Sequence, residues 1–86
     1  MSDLAQLEAD GLVCKRGDEV RTTRRWQSAM SRAALRLLRQ GDAGTDLRVP
    51  IAAALVELYG PEHPAEALVR LVELLLPIEA RELGPR

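Results

Sequence analysis

The stretch from Thr23 to Gln40, TRRWQSAMSRAALRLLRQ, limits most strongly what this chain can become. At about 100° per residue, Trp26, Ala29, Met30, Ala33 and Leu37 gather on one side. Arg25, Arg32, Arg36 and Arg39 fall in a narrow stripe almost opposite. Thr22 or Thr23 supplies a helix cap and Gly41 a stop. An amphipathic helix of this length must bury its apolar side against other elements, and only 86 residues exist to provide them. A chain of that size hides only about 60–65% of its unfolded surface. The apolar material is aliphatic: residues 47% hydrophobic include no Phe, and Trp26 and Tyr59 are the only aromatics. Leu and Ala dominate, which favours helices over a sandwich or barrel.

The remaining segments predict short elements around that helix, in one small domain over residues 1–86. Residues 1–10 read as a first helix from Asp3 to Asp10, capped by Ser2 or Asp3, with Leu4 and Leu7 on one face and Gly11 at its end. Residues 11–22 read as a hairpin turning at Gly17-Asp18, with Arg16 opposite Glu19, Lys15 opposite Val20 and Val13 opposite Thr22. Val13 and Val20 then point inward, while Cys14, Arg16, Glu19 and Arg21 share the other face. Residues 23–40 are the basic amphipathic helix, and GDAGTD is a loop.

Residues 49–59 predict a helix starting near Val49, with Pro50 in its first turn. Glu57 is its one charge, so it is expected to be buried nearly all round. Residues 64–76 predict a fourth helix, capped by Glu62 or His63 and broken by Pro77, leaving 77–86 as a tail. On it Glu66, Arg70 and Glu73 form a narrow charged strip of expected intrahelical pairs. Apolar residues take more than roughly 200° of the wheel. So wide an arc predicts a partner, most simply a second copy, resting on Leu68, Leu71, Val72, Leu75 and Leu76.

Net charge is only −1, yet it is unevenly placed. Residues 1–14 hold three acids and no base, residues 15–39 hold eight bases and two acids, and residues 40–86 hold four bases and eight acids. A single cysteine, Cys14, forms no internal disulfide and points to a reducing compartment or a lone buried thiol. The acidic first ten residues lack the apolar run of a signal peptide, and no run reaches the ~20 residues of a membrane span, so a cytoplasmic location without membrane association is expected. Arg outnumbers Lys eleven to one, which suggests a GC-rich bacterial genome.

The run LAQLEADGLVCKRGDEVRTT resembles the second half of a winged-helix domain. In that family the recognition helix ends in Leu-x-x-Leu-Glu, followed by Gly-Leu-Val, a two-stranded wing, a threonine and a further helix. Leu4, Leu7, Glu8, Gly11, Leu12, Val13, the turn at Gly17-Asp18, and Thr22 or Thr23 occupy those places, about a quarter of the chain. The resemblance implies a mainly α, winged-helix-like fold with about four helices, one β-hairpin wing and a role in transcription regulation. The helix in the recognition position nevertheless shows Asp3, Gln6, Glu8 and Asp10, and carboxylates are repelled by phosphates. The later helices or a second chain are expected to complete the fold.

Two functions follow. The basic set Lys15, Arg16, Arg21, Arg24 and Arg25, extended by Arg32, Arg36 and Arg39, suits phosphates of double-stranded DNA gripped by the wing and the next helix. Alternatively the arginines form a solvated face paired internally with the acidic second half; and in a protein-interaction or oligomerising module that binds no nucleic acid, the apolar face of the fourth helix docks a partner while the arginines meet an acidic surface. Arg16-Gly17-Asp18 is hairpin chemistry rather than an adhesion motif. Cys14, beside Lys15 and Arg21, reads as an incidental thiol rather than a redox one. His63 has no metal-ligand company and reads as a cap or an exposed side chain. No nucleophile triad, phosphate loop or apolar acid pair is present, so neither catalysis nor a cofactor nor a metal is expected.

Overall fold

The computed structural model describes residues 3–41 and 46–83. Its elements are α1 (Asp3–Ala9), β1 (Val13–Arg16), β2 (Glu19–Thr22), α2 (Arg24–Arg39), α3 (Arg48–Tyr59) and α4 (Ala65–Leu83). The architecture is mainly helical, with one two-stranded antiparallel sheet. Ser2, residues 42–45 of the expected loop and residues 84–86 of the tail lie outside the described residues. Among the described residues no helix is long and apolar enough to cross a membrane.

The strands pair in the expected register, Val13 with Thr22, Cys14 with Arg21, Lys15 with Val20 and Arg16 with Glu19. A two-residue connection demands a turn whose twist matches the strands. Gly17 provides it at φ 61°, while Asp18 keeps a negative φ, the pattern of a type II′ turn. Val13 is buried and Val20 half-buried, whereas Cys14, Arg16, Glu19 and Arg21 face solvent. Cys14 is therefore exposed rather than a buried thiol. The hairpin runs into α2 through Thr23, whose amide donates to the Leu12 carbonyl at 3.0 Å. The Thr23 hydroxyl donates to the Gly11 carbonyl and caps α2 by accepting from the Trp26 amide at 3.5 Å.

One core joins all four helices and the hairpin. Leu7, Leu12, Val13, Trp26, Ala29, Met30, Ala33, Ile51, Ala54, Leu55, Leu71, Val72, Leu75 and Ile78 are its buried members. The molecule is a slab of 38 × 38 × 19 Å, thin enough that most helices keep one side in water. That explains a difference at α3. Expected to be buried nearly all round, it packs chiefly against α2 and α4, which leaves Val49 at 47% exposure and Val56 at 40%.

The largest departure is α4. Pro77 was expected to end this helix, but the helix continues to Leu83 with Pro77 inside it. A proline within a helix removes one hydrogen bond and crowds the carbonyl four residues back, costing about 3 kcal/mol. That carbonyl belongs to Glu73, and both Glu73 and Pro77 are exposed, so the break falls on the solvent side of the helix. Beyond Pro77, three contacts hold the last turns: buried Ile78, buried Glu79 and a Glu82 anchored on β2. Tertiary anchoring outweighs the local break.

The same helix corrects the expected oligomer face. Leu71, Val72 and Leu75 are buried within the single chain, and Leu68 and Leu76 are half-buried. Their arc is covered by α1, α3 and β2, which flank α4 together. Its exposed apolar residue of size before Pro77 is Val69 at 59%. The expected pairs within α4 are also replaced: Arg70 reaches Asp3 of α1 at 3.9 Å.

Candidate functional site

Helix α2 carries two flanks of different chemistry. The arginine stripe is centred about a quarter turn from the middle of the buried face rather than opposite it, as a rise of 100° per residue dictates. It therefore lies within reach of α3. Glu57 of α3 accepts from Arg32 Nε at 2.8 Å and stands 2.7 Å from another Arg32 nitrogen. Its other oxygen lies 3.9 Å from Arg36. Two members of the expected phosphate track are thus already engaged by a carboxylate of the same chain.

The other members have different surroundings. Arg21 pairs with Glu19 on its own strand at 3.1 Å. Arg25 borders a small niche with Asp10 and Tyr59. Asp10 accepts from Gln6 at 2.9 Å and from the Tyr59 hydroxyl. Those two hydrogen bonds, followed by the Arg25 and His63 charges, hold the Asp10 carboxyl below its ordinary range despite partial burial. Burial and the bond to Asp10 push the Tyr59 phenol far above its usual value. His63 stacks on Tyr59 with ring centres 4.9 Å apart. Lys15, Arg16, Arg24 and Arg39 are exposed and make no ion pair among the described residues. Of the eight cations, Arg21, Arg32 and Arg36 thus have a carboxylate partner.

On its other flank α2 walls a groove of about 890 Å³. Gln27, Met30, Ser31, Ala34, Leu37 and Leu38 form this wall, spaced three or four residues apart as one helix face requires. Leu47, Val49 and Pro50 at the start of α3 close one end, β2 supplies Glu19, Val20 and Arg21, and the last turns of α4 supply the far wall. Within it Leu38, Val49 and Leu83 stand 58%, 47% and 64% exposed, so that exposed aliphatic surface is brought together in one groove. Asp46 fixes the α3 end: its carboxylate accepts from the Arg48 amide at 3.1 Å and from Arg48 Nε at 3.2 Å. These two bonds hold the Asp46 carboxyl below its ordinary range.

Polar groups in the groove converge on two carboxylates of α4. Glu79, only 4% exposed, accepts from the Trp26 indole at 2.7 Å. Glu82 accepts from the Thr22 amide at 3.0 Å and from the Thr22 hydroxyl. Gln27 donates to the Thr22 hydroxyl at 3.1 Å, extending the network to α2. Burial pushes the Glu79 carboxyl above the usual range; the Trp26 bond pulls it partly back, and the Glu82 charge adds to the rise. Sequence reasoning missed both residues because they follow Pro77. The signal was present: continued through the proline, the stripe Val72, Leu75 places Glu79 seven and four residues on, inside the buried face.

Among the described residues no three His, Cys, Asp or Glu side chains stand together as metal ligands. No family model, no curated protein and no solved structure matches the chain.

Proposed function

We propose that this chain is a non-enzymatic protein-interaction module whose groove takes an apolar helical segment of a partner protein. The groove itself carries the reading. Its α2 wall runs from Gln27 to Leu38, about 16 Å at 1.5 Å per residue, the length of a three-turn helix. Exposed aliphatic side chains line it, and docking an amphipathic helix there removes them from water at about 25 cal/mol per Å² of apolar surface.

Selection of displayed peptides of about twelve residues tests this. Each round is cleared against Ala34→Trp, which fills the groove, and against Leu38→Glu, which makes its exposed rim polar. Clones with apolar residues at helical spacing that bind wild type and neither variant are expected. A selection that enriches nothing over the two variants overturns the proposal.

A second reading rests on the exposure of Lys15, Arg16 and Arg24 without ion pairs. In it, the chain is a winged-helix-like transcription regulator, and these cations, with Arg25, meet phosphates of double-stranded DNA. Phosphate contacts require binding that weakens steeply with salt. A shift of duplex DNA at ~50 mM salt that disappears near ~200 mM supports this reading, and no shift at the lower salt removes it.

A further inference from the structure

The groove holds a feature that packing alone does not require. Glu79 is almost fully buried, and one of its oxygens takes the Trp26 N–H. No cation pairs with it among the described residues, and the charge that acts on it is that of another carboxylate, Glu82. Burying a carboxylate is costly unless a cation or several donors compensate it. One neutral N–H and a like charge are poor compensation.

The second oxygen of Glu79 has no hydrogen-bond partner among the described residues. Yet no buried side-chain oxygen there lacks a partner. That oxygen therefore keeps some accessible surface, although Glu79 as a whole is 4% exposed, and Glu79 lines the groove. The other groove-lining charges do not neutralise it: Glu19 and Arg21 satisfy each other, Arg81 makes no ion pair among the described residues, and Glu82 is spent on Thr22.

We propose that Glu79 is the charge-reading residue of the groove, receiving the ammonium or guanidinium of one basic residue on the docked helix. The inference rests on the groove reading of the previous subsection and names its partner's chemistry: an apolar helix face interrupted by a single Lys or Arg. A buried site built to bond a charged group rejects a ligand that lacks it more sharply than an apolar wall can. Glu82 and Thr22 hold the far end of α4 against β2 and so position Glu79, whereas Trp26 fixes the orientation of its carboxyl group.

The test uses a peptide recovered by the groove selection and its analogue with norleucine in place of the basic residue. Both are titrated against the full chain and against Glu79→Gln. The amide oxygen of Gln still accepts from Trp26, so the fold is expected to survive, and far-ultraviolet dichroism checks it. Emission of Trp26, the one tryptophan, reports binding beside its indole. The basic peptide is expected to bind wild type at least about tenfold more tightly than Glu79→Gln. The norleucine peptide should distinguish the two by less than about twofold.

The basic peptide should also tighten as pH rises through the elevated Glu79 value, because a proton competes with the cation for the same oxygen. The titratable groups that line the groove with Glu79 are Glu82 and Arg81 on α4 and Glu19 and Arg21 on β2; α2 lines it with Gln27 and bonds Glu79 through Trp26, and the start of α3 lines it with no ionisable group. The Glu79→Gln chain should lose that pH dependence.

Selected peptides without a basic residue, or a preference for the basic peptide that survives in Glu79→Gln, overturn the inference while the groove reading stands. Failure to select any groove-dependent peptide overturns both. A dimer of the chain alone that Leu38→Glu dissociates puts a second copy in the groove and overturns the basic helix as its occupant.

Discussion

The two flanks of α2 differ in a way opposite to their prominence in the sequence. The arginine flank is conspicuous, with four cations at helical spacing, yet two of them already bond Glu57 across the α2–α3 seam. The other flank reads as an unremarkable mixture of Gln, Met, Ser, Ala and Leu, yet it walls a wide groove that ends on a buried carboxylate. A concentration of charge marks a functional surface only where its bonding capacity is unspent. On α2 the unspent capacity is apolar area and one carboxylate oxygen.

Matched lesions on the two sides measure that difference. The largest effect is expected at Trp26, which the flanks share as floor. Trp26→Ala should cost about 3–5 kcal/mol, because a fully buried aromatic leaves a cavity, measured by urea unfolding. Trp26→Phe keeps most of the volume and deletes only the donor to Glu79, so about 1–3 kcal/mol is expected in the same assay. Equal losses for Ala and Phe would show that the hydrogen bond, not the packing, dominates there. Thr22→Val removes the hydroxyl that Glu82 accepts from and should cost about 1 kcal/mol. On the arginine flank, Arg32→Ala combined with Arg36→Ala breaks a largely exposed pairing, worth about 0–1 kcal/mol and less at high salt. A loss comparable to Trp26→Phe would break the comparison.

The smallest effect is one of direction. Glu79 has a raised folded value, so its contribution to stability is fully present below the unfolded Glu value of 4.5 and is lost as pH rises through the folded value. Glu79→Gln escapes that loss. It should be the more stable chain at pH 7–8 relative to its standing against wild type near pH 4, as read from paired thermal melts across that range. Asp10 works the other way: its depressed value favours the fold above the unfolded 3.8 and that support vanishes as pH falls through the folded value. Asp10→Asn should therefore lose stability relative to wild type at pH 7 and converge with it in strong acid.

Much of this fold was legible because it rests on local rules. The hairpin register follows from a two-residue Gly-Asp connection, and α2 follows from its period, its Thr23 cap and its stop at Gly41. Two features were not legible, both for non-local reasons. Pro77 is a valid local signal to stop, overruled by Trp26 and Thr22, more than fifty residues earlier, which bond Glu79 and Glu82. The apolar arc of α4 overfills a wheel, but a wheel does not say how many neighbours surround a helix, and here three elements cover Leu71, Val72 and Leu75. The basic residues were readable as exposed, whereas the partner that occupies Arg32 and Arg36 sits on a helix expected to be buried throughout. The groove had no local signature at all, since it exists only between β2, α2, the start of α3 and the end of α4.

The most direct measurement titrates one groove-selected peptide against two variants that each damage a single flank. Against Ser31→Trp, a groove-wall substitution that plays no part in the selection, the affinity should fall at least about a hundredfold, and against Arg32→Ala with Arg36→Ala it should stay within about twofold of wild type. Unchanged binding to Ser31→Trp together with loss on the arginine variant would place the working surface on the other side of α2 and contradict the account.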